Sequence, residues 1–158
     1  MCGFVGFLGG DGGKKSAEAL LQRMSDTISY RGPDDSGHWC DLDQHVGLGH
    51  RRLSIVDLSS AGHQPMISPG GRYVIAFNGE VYNHNILRDE LGEKPWRGHS
   101  DTETLLAGFD HWGIQGTVER AMGMFAFAVW DKSENTLVLG RDRIGEKPLY
   151  YGWQGSSF

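Results

Sequence analysis

The apolar residues of this chain come in short runs, each closed by turn residues. The clearest are Gly3 to Leu8, His45 to His50, Tyr73 to Phe77, Met124 to Trp130 and Thr136 to Gly140. Runs this short, rich in valine, isoleucine and aromatics, are strands and not helices. Many of the 24 glycines lie at their ends, where the chain must reverse. Gly3 to Leu8 reads as a buried strand, and Gly37 to Cys40 pairs with His45 to His50. Tyr73, Ile75 and Phe77 alternate with smaller residues in a strand expected to end at Asn78-Gly79. Met124 to Trp130 and Thr136 to Gly140 make a hairpin around Asp131 to Asn135. Leu149 to Trp153 is expected to start a further strand.

Helical spacing interrupts these runs. Ala17, Leu20, Leu21, Met24 and Ile28 predict an amphipathic helix from about Lys15 to Tyr30. The stretch from Arg31 through Gly32, Pro33, Asp34, Asp35 and Ser36 to Gly37 has the chemistry of a loop. Asn83 to Leu91 suits a short helix. Ser100 to Trp112 suits a longer one, with Leu105, Leu106, Phe109 and Trp112 on one face. Ser100 is a natural N-cap there, and Glu103 three residues on predicts a capping box. The class is therefore α+β with antiparallel pairing. The pattern fits two sheets covered by helices, or one sheet with helices on a single face.

The chain has 158 residues, enough for one domain with a real core, and no linker or repeat divides it. A net charge of −5 without any lysine or arginine run argues against nucleic acid as a partner. No apolar stretch approaches the roughly 20 residues of a membrane helix. The apolar opening has no basic segment before it, so it is not read as a secretory signal. Two cysteines are too few for a disulfide scaffold, which points to the reducing cytoplasm. His38, His45, His50 and His63 lack ligand spacing, and Cys40 has no second cysteine nearby, so no metal site is expected. There is no Walker-type loop.

Cys2 carries the most chemistry. Removal of Met1 would put a thiol and a free α-amine on one residue. An α-amine titrates near pH 8, about two units below lysine, so at neutral pH part of it is an available base. Nucleophile and base then come from a single residue, and no catalytic histidine is needed. Cys2 also runs directly into an apolar strand, which anchors the terminus. If Met1 stays, that nitrogen is an amide, and the chain is at most a module that binds a ligand or assembles with a partner without turnover. Asn78-Gly79 taken alone reads as a hairpin turn. Arg51 and Arg52 are adjacent, and along a strand they would face opposite ways.

Eight motifs now stand in order: MCGFVGF, RGPDDSG, HRRLSIVDLS, GHQPM, FNGEVYNH, SDTETLL, GMFAFAVWD and GRDRIGEKPLYYG. Together they resemble class II glutamine amidotransferases, and specifically the N-terminal glutaminase domain of glutamine-hydrolysing asparagine synthetases. The resemblance covers Met1 to about Tyr151. It implies the Ntn-hydrolase fold, an αββα sandwich of two antiparallel sheets between helical layers. It implies that Cys2 attacks the side-chain amide of glutamine to give a glutamyl thioester and ammonia. Asn78 and the Gly79 N–H would hold the oxyanion. Arg52 would clamp the substrate carboxylate, with Asp101 and Glu80 near its ammonium. The Arg31 to Asp34 loop would close over bound glutamine.

Such domains precede an ATP- and magnesium-dependent synthetase domain, which receives the ammonia. The expectation is that residues 1–158 are one glutaminase domain cut before that partner, needing no cofactor itself. Other acceptors than aspartate are possible for such a layout. An apolar surface uncovered by the cut would favour a homodimer.

Overall fold

The computed structural model describes residues 2–10, 14–55 and 57–158. Met1, on whose removal the expected base depends, and Val56 of the HRRLSIVDLS run lie outside the described residues. The elements are β1 (Gly3–Leu8), α1 (Lys14–Thr27), β2 (Asp35–Asp41), β3 (Val46–Arg52), β4 (Met66–Ile67), β5 (Tyr73–Val81), α2 (His84–Leu91), α3 (Asp101–Arg120), β6 (Gly123–Asp131) and β7 (Thr136–Arg141). They form two antiparallel sheets, ordered β1-β3-β2 and β4-β5-β6-β7.

Alternation along the strands builds the layers. In the second sheet Val74, Ala76, Ala128 and Trp130 face the first sheet, where Val46, Leu48, Phe4, Leu8 and Trp39 meet them. The intervening Tyr73, Ile75, Phe77, Phe125, Phe127 and Val129 turn the other way, onto Leu105, Leu106 and Phe109 of α3. Tyr73 and Phe109 pack edge to face, 5.8 Å between centroids. α1 lies on the outer face of the first sheet and buries Leu21. The order helix, sheet, sheet, helices resolves the choice that the sequence pattern left open. It is the αββα sandwich of the Ntn-hydrolase fold.

Several boundaries differ from expectation. α1 ends at Thr27, and a short 3₁₀ turn spans Ser29–Arg31. β2 starts at Asp35, inside the expected loop, because β3 extends to Arg52 and gives that residue a partner. β5 does not stop at Asn78-Gly79. It runs to Val81, with Asn78 opposite Ala126 and Gly79 opposite Phe125, so the pair is not a hairpin turn. Ser100 does cap α3, accepting the Glu103 N–H at 3.2 Å. The reciprocal half of the capping box is missing: the Glu103 carboxylate takes the N–H groups of Arg97 and Gly98 at 2.8 and 3.1 Å. The expected helix end at Trp112 coincides with a kink at Gly113, where φ is 73°. A second helical stretch follows to Arg120.

Leu149 to Trp153 forms no strand. Tyr150, Tyr151 and Trp153 stand exposed, and only a bridge between Gln154 and Ser157 follows. The residue that pairs is Phe158, which exchanges two 2.8 Å backbone bonds with Leu8 of β1. Among the described residues no helix is long and apolar enough to cross a membrane.

His50 of β3 is fully buried between the sheets, and its Nε2 lies 3.0 Å from the carbonyl of Phe77. Burial disfavours the imidazolium and pushes its pKa down to about 4. In the unfolded chain the ring titrates near 6.5. Between those values the unfolded state binds a proton that the native state refuses. Stability therefore falls as pH drops from about 6.5 towards 4, by up to about 3 kcal/mol from this group. Urea unfolding at pH 7 and pH 4.5 should show that loss, and His50→Gln should remove most of this group's part of it.

Candidate active site

The site follows from the same alternation. Phe4 and Leu8 of β1 face the second sheet, so Cys2, two residues before Phe4, is set on that face. Gly3 pairs with Arg51, which places Cys2 beside the Arg52 end of β3. Val46, Leu48 and His50 point inward along β3, and Arg52 continues the series. Arg51 points outward and is held by the Ser25 carbonyl at 3.2 Å and by the Asp26 carboxylate. On β5, Asn78 and Glu80 share parity with Val74 and Ala76 and so face the sheet that carries Cys2. Cys2, Arg52 and Asn78 converge at one end of the inter-sheet core.

Each part is fixed locally. The Cys2 sulfur accepts the Leu53 N–H at 3.3 Å and lies 3.4 Å from the Leu53 carbonyl. Arg31 donates to the Cys2 carbonyl from Nε and Nη2, both at 3.3 Å. Arg52 is buried and donates to the carbonyls of Ser59, at 2.9 Å, and of Asp57. Gly62 leaves it room: a Cβ there would sit 2.0 Å from Nη2. Two of the five guanidinium N–H groups are thus used on the loop, and among the described residues the others have no acceptor and remain for a ligand. Asp57 ties the same loop to the start of α3. It accepts from the Ser59 N–H (2.8 Å), the Ser59 hydroxyl (2.6 Å) and the His99 N–H (2.9 Å). The Ser59 hydroxyl and the His99 N–H are the main causes that bring its pKa down to about 2.

The edge of β5 supplies the donors. β4 is two residues long and covers only Ile75 and Val74. Beyond it the odd-numbered peptides of β5 face away from β6 and lack a strand neighbour. Side chains take that place. Gln64 Oε1 accepts the Phe77 N–H at 2.7 Å, and Asp101 Oδ2 accepts the Val81 N–H at 2.8 Å. Alternation turns the Gly79 N–H the same way, and among the described residues nothing accepts it. Gly79 must be glycine for a reason on its other side. A Cβ there would meet the Met124 carbonyl oxygen at 2.3 Å and Phe125 Cα at 2.6 Å.

Asp101 is buried, and its second oxygen accepts the Thr102 N–H at 2.8 Å. Burial is the largest influence on it and raises its pKa. A ligand cation beside it would offset that cost.

One cavity of about 100 Å³ collects these groups: Cys2, Arg52, Asn78, Gly79, Glu80 and Asp101 all line it. The sequence reading did not single out Asp57, Gln64 or Lys147, which line it too. All three lie inside the quoted motifs. The roles of Asp57 and Gln64 depend on loops folding back onto α3 and β5, and no periodicity announces that. The wall thus offers a thiol, open N–H donors and fixed charges of both signs. Those are the requirements for attack on an amide carbon in a ligand with a zwitterionic head. Among the described residues no group of three histidine, cysteine, aspartate or glutamate side chains is placed to hold a metal ion.

Comparison with known proteins agrees with this geometry. The family model described as "Glutamine amidotransferase domain" matches residues 1–158. "Asparagine synthetase [glutamine-hydrolyzing] 3" of Bacillus subtilis is 44% identical over 165 residues, covering 100% of this chain and 26% of that protein. "Asparagine synthetase [glutamine-hydrolyzing] 1" of the same organism is 43% identical over 155 residues, covering 96% and 24%. "Amidase chry2" of Gibberella zeae is 37% identical over 161 residues, covering 96% and 24%. The chain spans about a quarter of the length of these curated relatives. With the family model matching the whole chain, the chain belongs to the glutamine amidotransferase domain family, in the form found in asparagine synthetase-like proteins.

Proposed function

We propose that this chain hydrolyses glutamine to glutamate and ammonia through a glutamyl thioester on Cys2. The observation that carries the reading is the open Gly79 N–H on the uncovered edge of β5. It lines the same cavity as the Asn78 side chain and the Cys2 thiol. With Met1 removed, the Cys2 α-amine takes the thiol proton as sulfur attacks the amide carbon. The carbonyl oxygen becomes an oxyanion and is held by Asn78 Nδ2 and the Gly79 N–H. The intermediate collapses, the amine returns the proton to the departing nitrogen, and ammonia leaves. Water, deprotonated by the same amine, then cleaves the thioester and frees glutamate and the thiol. Arg52 binds the α-carboxylate, and Asp101 with Glu80 receives the α-ammonium. Opposite charges on opposite sides fix which end of the substrate reaches sulfur.

Interception tests the thioester. Hydroxylamine added during turnover should divert the acyl group into γ-glutamyl hydroxamate, with glutamate falling by the matching amount and ammonia release unchanged or faster. Ammonia release that continues with no hydroxamate at high hydroxylamine would rule the thioester out.

We further propose that the ammonia passes to a synthetase domain, as the names of the Bacillus relatives suggest, and that ATP and magnesium are used there and not in this domain. Exposed Ile144, Tyr150, Tyr151 and Trp153 support a covering partner on this side. Asparagine is the product that those names favour. The fungal amidase relative keeps a different acceptor in view.

A further inference from the structure

His50 is the buried titratable group that the proposed reaction does not use. It is fully enclosed, its Nδ1 has no partner among the described residues, and its Nε2 meets the Phe77 carbonyl at 3.0 Å. A carbonyl only accepts, so Nε2 carries the proton and Nδ1 is a bare lone pair. A second proton would leave a buried N–H unsatisfied and a buried charge unpaired. The ring is therefore neutral, with one tautomer.

Its placement is what matters. On β3 His50 sits opposite Phe4 of β1, two residues from Cys2. The carbonyl it holds belongs to the peptide that joins Phe77 to Asn78. No strand holds that carbonyl, because β4 stops short of it. The N–H of Phe77 is held separately, by Gln64 Oε1 at 2.7 Å, and Gln64 Nε2 is steadied by Thr102 Oγ1 at 3.3 Å. The segment carrying both oxyanion donors is thus gripped at its near end from two sides. Of the two grips, His50 is the one that comes from the nucleophile's own sheet.

The geometry points to His50 as a positioning residue: its bond across the sandwich to the Phe77 carbonyl sets Asn78 and Gly79 relative to Cys2. His50 does not line the cavity and touches no substrate. It acts through the Phe77-Asn78 peptide. The inference rests on the oxyanion reading above. A donor displaced by a fraction of an ångström stabilises the developing charge less, while substrate binding at Arg52 and Asp101 is unaffected.

The test separates reach from volume. His50→Met fills the space but donates nothing. It should lower kcat for glutamine hydrolysis about 10- to 100-fold, with KM changed by less than about threefold. His50→Gln carries an amide N–H of similar reach and should recover kcat to within about fivefold of the parent. His50→Asn carries the same amide one methylene short, and should fall about tenfold below His50→Gln. If His50→Met does not fold, the Gln and Asn variants decide between themselves, since they differ only in whether the donor arrives. Equal kcat in those two, or full activity in a folded His50→Met, overturns the inference. So does a loss shared equally by kcat and KM. Cys2→Ala keeps the two readings apart. If it is inactive while His50→Met is normal, only the positioning role fails; if it stays active, the oxyanion reading itself falls.

Discussion

Cys2→Ala should abolish glutamine hydrolysis, lowering kcat by at least about 10,000-fold. No second thiol can take over. Cys40 pairs with Gly47, five residues along β3 from Arg52, about 17 Å at strand spacing. The methyl side chain fits where the thiol stood and leaves Arg52, Asn78, Gly79 and Asp101 in place. Glutamine should therefore still bind, and titration calorimetry on the variant measures binding without turnover. Ammonia release at the parent's rate would refute the nucleophile. Absence of binding heat would instead mean that the sulfur, or the α-amine beside it, contributes to the ground state.

Asn78→Ala should lower kcat by about 100- to 1,000-fold, the usual effect of deleting one oxyanion donor. KM should move by only a few-fold, because the ground-state carbonyl gains less from that donor than the oxyanion does. The Asn78 side chain has no partner among the described residues and faces the cavity, so its removal strands nothing in the protein. Asn78→Asp sharpens the point. It keeps the shape but replaces a donor with a negative charge beside the developing oxyanion, and should be no more active than Asn78→Ala. Steady-state kinetics on the pair decide it. An Asn78→Ala variant that loses affinity and not turnover would reassign the residue to substrate binding.

The strands were legible because β5 and β6 alternate cleanly between aromatic and small residues, and each face meets a different core. The motifs singled out Cys2, Arg52, Asn78 and Asp101, and the resemblance they carry implied two sheets. Periodicity alone could not choose between one sheet and two, since that choice lies in how β3 faces β5 across a gap that no local pattern spans. Asn78-Gly79 misled the strand boundary for a physical reason. The glycine is demanded by the backbone of β6, not by a reversal of direction. Glu103 misled likewise: a buried carboxylate serving Arg97, Gly98 and Arg88 looks in sequence like half of a capping box. Leu149 to Trp153 has strand composition, yet no strand among the described residues pairs with it. His50 and Gln64 lie inside quoted motifs, but a single buried polar side chain has no period, so nothing in the sequence announced what either would hold.

A sheet margin with bare amides normally invites a stranger to zip onto it. Here β4 halts after two rungs, and the vacated margin is rationed out among Gln64, His50 and Asp101, with one amide withheld. If β4 ran on opposite Phe77, Gly79 and Val81, it would complete the ladder and seal the cavity at a single stroke. On the proposed mechanism, reactivity in this domain is thus a by-product of a strand that is too short, and lengthening it would trade chemistry for a better-made sheet.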